Sequence, residues 1–414
     1  MYEVGRTLIS KRLLLISYFS PPPGIHLPAP SFGFSYFSPP TSCFSLLPPP
    51  RNFNFLSNFP TFPAILLPLS LSCMKHLLPV VGLLFAVHMT QAQNEPGDVK
   101  TVQETAKTYI KQGDYSNAVL VLNRALQNNA DNLDLQKDLA FAYYLNRDYV
   151  HGLEVAKKFP ERSDADVQSF QLLGILYKAI EEVKDCEKMY KAALKKFPNS
   201  GALFNEYGEM VWSKKDYSDA IKLWEKGIEA DPGYSGNYYN AAKYYYMSPD
   251  KVWALIYGEI FLNLESYSKR TAEIKNVLLD GYKKLFTDAN ITKDQDTKND
   301  FVKAFLEAMK SQSAFMGANG VTAETLSAIR TKFILDWFTK YAKSFPFRLF
   351  EYHQQLLKAG MFDAYNQWIF GTANNLPAYE NWTKTHQEEY SKFDYFQHNR
   401  VFKLPSGQYY QTAK

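Results

Sequence analysis

Four histidines lie beyond residue 92, at His151, His353, His386 and His398. They are the natural starting points for acid–base or metal chemistry, since imidazole titrates near neutrality and binds metals. None stands in a His-Glu-x-x-His array, which would put two ligands on one helical face. His386-Gln387-Glu388-Glu389 reads as a charged helix face. Gly-x-Ser-x-Gly, a phosphate-binding Walker loop and Gly-x-Gly-x-x-Gly are all absent from the sequence. Gly317-Ala318-Asn319-Gly320 has the composition of a helix break. Glu351 and Asp363 are two carboxylates that an acid–base mechanism could use, with His353 beside them. An enzyme built on those three requires that they converge in one pocket. Nothing in the sequence calls for a metal or a cofactor.

What the chain must supply first is a scaffold, and one is written plainly between Val99 and Ser268. Consecutive windows starting at Val99, Leu133, Val167, Gly201 and Ser235 repeat every 34 residues without slipping. The eighth place holds Ala106, Ala140, Gly174, Gly208 and Ala242; the twentieth holds Ala118, Gly152, Cys186, Ala220 and Ala254. Rings recur at the eleventh place (Tyr109, Tyr143, Tyr177, Tyr245, with Val211) and the seventeenth (Tyr115, Tyr149, Tyr217, with Val183 and Lys251). Small residues let two antiparallel helices approach, and large ones fill the flanks, so each window predicts a helix–turn–helix pair. Cys186 falls on a close-packing place and reads as a small buried apolar residue.

Gly113-Asp114-Tyr115-Ser116-Asn117-Ala118 followed by Ala125-Leu126 resembles the tetratricopeptide repeat. So do Lys215-Asp216-Tyr217-Ser218-Asp219-Ala220, followed by Gly227-Ile228 and Asp231-Pro232, and the closing run Ala193-Leu194-Lys195-Lys196-Phe197-Pro198. The resemblance covers the five windows, with Phe159 in place of a small residue in the second and Ser248-Pro249-Asp250 in the turn of the fifth. It implies an all-α solenoid whose first helices line a groove, exposing the second, fifth, ninth, twelfth and thirteenth places to a protein or peptide partner. Carried onto this chain, the groove residues are Gln103, Lys107, Lys137, Phe141, Tyr144, Gln171, Ile175, Lys178, Asn205, Glu209, Trp212, Tyr239, Lys243 and Tyr246. Amides would pair with a partner's backbone, lysines with its carboxylates and rings with its apolar side chains. The Lys/Asn clamp by which some family members hold chaperone tails is not matched by Gln103 and Lys107.

Around the repeats, four further segments are expected. Residues 1–73 hold 13 of the 22 prolines and one acidic residue, Glu3, with no helical or strand period. Met74 to Ala92 has the form of a secretory signal peptide: Lys75, an apolar run from Leu77 to Val87, then small residues at Thr90 and Ala92. That makes Met74 the expected initiator and Gln93 the expected mature N-terminus, with residues 1–73 upstream sequence; a genuine Pro/Phe/Ser-rich extension is the alternative. The apolar run is too short to span a bilayer. Removing residues 1–92 leaves 41 basic and 41 acidic residues, a balance that speaks against nucleic-acid binding. Residues 99–286 form the solenoid, closed by a capping helix over 269–286. Residues 299–414 form a second helical region with a short extended tail, separated by the polar stretch 287–300. The expected function is an exported, non-enzymatic interaction scaffold of the periplasm or cell envelope. Glycan binding by the rings from Trp337 to Tyr410, including Trp368 and Trp382, is an alternative.

Overall fold

The computed structural model of the chain describes residues 98–288, 290–312 and 320–412, all within one unit, Gly82–Lys414. The segments read as extension and signal peptide, and Gly317 to Asn319, lie outside the described residues. The first ten helices form five pairs: α1 Val99–Gln112 with α2 Tyr115–Asn128, α3 Leu133–Leu145 with α4 Tyr149–Ala156, α5 Val167–Ala179 with α6 Val183–Lys196, α7 Gly201–Ser213 with α8 Tyr217–Ala230, and α9 Ser235–Met247 with α10 Val252–Leu264. Each first helix therefore starts on the first residue of its 34-residue window.

Local chemistry explains these boundaries. Asp114, Asn132, Asp148, Asp166, Ser200 and Asp216 each cap a helix by accepting a hydrogen bond from a first-turn backbone N–H. The fifteenth place of the first four windows holds Gly113, Arg147, Glu181 and Lys215, all left-handed, with φ of 78°, 60°, 61° and 65°. Three of these four are not glycine, a strain of roughly 1 kcal/mol each. In the fifth window that place is Pro249, whose ring forbids positive φ. The turn is rebuilt around Ser248 and Asp250, and α10 starts at Val252, one residue late. In the second window α4 stops at Ala156, and Phe159-Pro160-Glu161 forms a 3₁₀ turn with Phe159 fully buried.

The small places do what their spacing implies. All ten residues at the eighth and twentieth places are buried. Their partner is the twenty-fourth place, and the two vary together. Gly174 faces Tyr190, and a Cβ there would lie 2.1 Å from the Tyr190 hydroxyl; Gly208 faces Trp224, with 2.3 Å to Nε1. Where the twenty-fourth place is Leu122, Ala156 or Gly258, the eighth is alanine (Ala106, Ala140, Ala242). A ring at the twenty-fourth place thus goes with glycine at the eighth.

The two ends of the array differ from its middle. At the third, seventh and tenth places, Leu135, Leu139 and Ala142 pack into a core with Ala106, Ala118 and Leu122. Leu203, Tyr207 and Met210 are likewise buried. In the first window these places are Thr101, Thr105 and Thr108, all exposed, and the latter two hydroxyls donate to their own helix's carbonyls. A solenoid's outer end must be polar, and this one is. At the other end, α11 Thr271–Leu285 packs on α10, with Ile274 and Leu278 against Gly258.

The remaining helices are α12 Asp300–Lys310, α13 Ala323–Lys340, α14 Arg348–Lys358, α15 Phe362–Asn366, α16 Leu376–Thr385 and α17 Gln387–Asn399. From α15 the chain passes through a π turn, Gln367–Gly371, and a short helical piece, Thr372–Asn374. From Leu376 the chain forms two helices, broken at His386. Residues 400–412 are irregular, and no strand occurs among the described residues. The core here is aromatic: Phe301 meets the rings of Trp253, Trp337, Phe347, Phe350 and Tyr410 at centroid distances of 4.7–6.3 Å.

Candidate functional site

Successive first helices, α1, α3, α5, α7 and α9, pack on one another, and α11 continues the row. Side chains at the fifth, ninth and twelfth places share its outer stripe, because three- and four-residue steps return to one helical face. The structure places the expected residues there and shows what they hold. Gln103 donates to Asp138 at 2.8 Å, Gln171 to Glu206 at 2.7 Å, and Asn240 to Asn205 at 2.9 Å. Each bond joins a fifth place to the sixth place of the next window. The third window has Leu172 at its sixth place, and there Lys137 instead reaches Asp166, the cap of α5, at 2.7 Å and Asp134 at 2.9 Å. Tyr239 donates to Glu273 at 2.5 Å and Tyr246 to Asp280 at 2.6 Å, carrying the ladder on to α11.

The lysines of this face are ion-paired within the chain. Lys107 lies 3.5 Å from Glu104, Lys178 3.7 Å from Glu206 and 4.0 Å from Glu209, and Lys243 2.8 Å from Glu273. Burial works against the charge on Lys137 and Lys243, but their hydrogen bonds to Asp166 and Asp134, and to Glu273, outweigh it and raise both pKa values. Burial raises the Glu206 carboxyl, with Lys178 pulling the other way. Rings gather in two places. Phe141 and Tyr144 sit 6.4 Å apart with Tyr149 5.9 Å beyond, and Trp212 packs 4.5 Å from Tyr217 and 5.5 Å from Trp224.

One expectation needs correcting. Lys137, Asn205 and Ile175 were expected to be exposed, and all three are buried, at 6%, 6% and 4%. Lys137 is drawn in by two carboxylates, Asn205 by Glu209 and Asn240, and Ile175 by packing. The other eleven groove positions are half-buried, so their outer edges stay open to a partner. The sixth-place residues Asp138, Glu206 and Asn240 escaped the sequence reading. Their signal was a second polar residue beside a polar fifth place.

The C-terminal residues considered for catalysis do not converge. Glu351 is exposed on a shallow cavity with Gln354, Gln355 and Lys358, and Asp363 is exposed and accepts from Ser327 at 2.5 Å. His353 is buried elsewhere. It lies with Nε2 2.8 Å from the Glu259 carboxylate, which also accepts from Arg330 and, at 2.9 Å, from the Tyr365 hydroxyl. Arg330 donates onward to Asn366. Asn263 donates to Tyr365 at 2.7 Å and accepts from Arg400 at 2.7 Å. Burial opposes ionisation of Glu259, yet Arg330 and His353 hold its pKa at about 2. Burial lowers the His353 pKa, with Glu259 pulling the other way. The adjoining cavity is about 10 Å³, room for about one water. This network joins α10 to α13, α14 and α15. Trp337 and Trp368, considered as sugar platforms, are also buried, at 0% and 6%.

Among the described residues no group of three or more His, Cys, Asp or Glu is placed to hold a metal, and no helix is long and apolar enough to cross a membrane. No curated protein matches the sequence. Solved structures similar to part of the chain include a crystal structure of MamA, 19% identical, covering 39% of this chain and 94% of that one with a TM-score of 0.33. A point mutant of MamA is 17% identical and covers 40% and 96%, with a TM-score of 0.29. The tetratricopeptide-repeat family model matches residues 172–235, which is most of the third and fourth windows. With that match set on helical pairs recurring at a fixed 34-residue phase, residues 99–264 form an all-α array whose third and fourth pairs match the tetratricopeptide repeat, a repeat that serves as a scaffold for protein–protein interaction.

Proposed function

We propose that this chain is a non-enzymatic adaptor of the periplasm or cell envelope that holds a protein partner along the row of first helices. One observation carries the reading: rings, amides and ion pairs recur on one stripe of α1, α3, α5, α7 and α9, while the glycine–ring packing is spent inside. A stripe of half-buried rings beside satisfied polar groups suits a partner segment that adds apolar contacts and exchanges hydrogen bonds. The described contacts of the C-terminal tail run to α8, α9, α10, α12 and α14, not to α1, α3 or α5. Export rests on the Met74–Ala92 segment of the sequence.

The test is site-specific photo-crosslinking in the native host. A crosslinking residue replaces Tyr144, Lys178 or Lys243 on the stripe, or Leu120, Lys188 or Lys222, which are exposed on second helices. Partner adducts are expected from the first set and not from the second.

A further inference from the structure

The C-terminal tail is irregular, yet it is pinned along its length. Phe402 and Leu404 are buried. Gln408 accepts from the Arg348 backbone N–H at 2.7 Å. The Tyr410 ring stacks on Phe301 at 4.7 Å, its hydroxyl donates to the Pro346 carbonyl at 2.6 Å, and its own carbonyl accepts from Asn299 at 2.7 Å. Beyond that point the tail crosses onto the repeats. Gln411 donates to the Tyr245 hydroxyl at 3.2 Å, and Tyr245 donates to the Glu225 carboxylate at 2.5 Å. Leu404 and Tyr409 close over Ile228 and Tyr238.

Glu225 is the anomaly at this crossing. Among the described residues no lysine or arginine forms an ion pair with it, and the Tyr245 hydroxyl is its hydrogen-bond donor. Titratable groups surround it. Glu229 shares α8, Tyr245 comes from α9, Asp250 and Lys251 from the α9–α10 turn, Tyr257 from α10, Asp296 from the following loop and Tyr409 from the tail. Lys251 is turned to the backbone carbonyls of Tyr246 and Ser248. Glu225 is half-buried, and its Tyr245 donor is held by Gln411 of the tail, so releasing the tail gives an ionised Glu225 more water.

We propose that residues 404–412 form a proton-controlled strap: closed while Glu225 is protonated, and released at its Tyr409–Gln411 end when Glu225 ionises. The energetics follow from linkage. Burial raises the Glu225 carboxyl to about 7 in the closed state, from an ordinary value of 4.5. Asp250 beside it is raised to about 6, again by burial. A group whose closed-state pKa is raised favours closure fully below its ordinary value, and that support is lost as pH rises towards the raised one. The strap is tightest in acid, loosens between about pH 4.5 and 7, and changes little above.

Chymotryptic cleavage after Tyr409 and Tyr410 reads the open state in the full chain. Rates at pH 6 and pH 8 are each normalised to a free peptide of residues 401–414 in the same tube. The normalised rate should rise about tenfold from pH 6 to pH 8 in the wild type, and stay within twofold in Glu225→Gln. Gln411→Ala leaves the carboxylate in place but cuts the tail's link to Tyr245. It should raise cleavage at pH 6 several-fold, and it tests the strap even if Glu225→Gln fails to fold. A flat wild-type profile, an equal rise in Glu225→Gln, no effect of Gln411→Ala, or cleavage as fast as the free peptide at both pH values would each overturn the proposal.

Discussion

The repeat array and the C-terminal helices are held together by opposite means. In the array, each contact recurs. A fifth place bonds a sixth place one window on, and an eighth-place small residue accommodates a twenty-fourth-place ring. No single contact matters much, because its neighbours repeat it. Between α10 and the C-terminal helices the bond is made once, by Glu259, Arg330, His353 and Tyr365 in a dry core. Redundancy in one region and a single buried charge network in the other predict unequal responses to mutation.

The largest effect belongs to that network. Arg330→Met leaves Glu259 buried without its cation and should cost about 3–5 kcal/mol in chemical denaturation. Adding Glu259→Leu should recover most of the loss, since removing both charges also removes the desolvation problem. If Arg330→Met alone costs less than about 1 kcal/mol, the contrast between the regions is wrong.

A smaller loss, about 1–3 kcal/mol, is expected for Gly208→Ala, whose new Cβ would press on the Trp224 ring. Trp224→Leu in the same chain should relieve that clash, sharpening the claim that the eighth and twenty-fourth places trade volume. The smallest effect has the opposite sign. Lys215→Gly relaxes a left-handed residue and should stabilise by about 1 kcal/mol, visible as a raised Tm. Loss of stability there would show that the Lys215 side chain, not its backbone, sets the turn.

How far each region could be read in advance follows the same division. The first-helix starts at Val99, Leu133, Val167, Gly201 and Ser235 are the window starts themselves, because five copies of one pattern average out local accidents. The capping helix and the small-residue places were equally legible. The twenty-fourth place was not, since Leu122, Ala156, Tyr190, Trp224 and Gly258 share no residue type; only their complement at the eighth place gives them sense. On the stripe, the positions were legible but their burial was not. Lys137 looks like an exposed cation until the fold brings Asp166 to it. Glu259 and Arg330 are 71 residues apart, and no periodicity relates them. The break at His386 carries no signal in the sequence, because aromatic residues continue on both sides of it.

The interaction stripe is the centre of this account, and photo-crosslinking tests it most directly. Probes at positions 144, 178 and 243 should trap the same partner, while probes at 120, 188 and 222 trap none. Adducts forming equally from both sets, or only from the second-helix set, would contradict the assignment of the partner to the first-helix face.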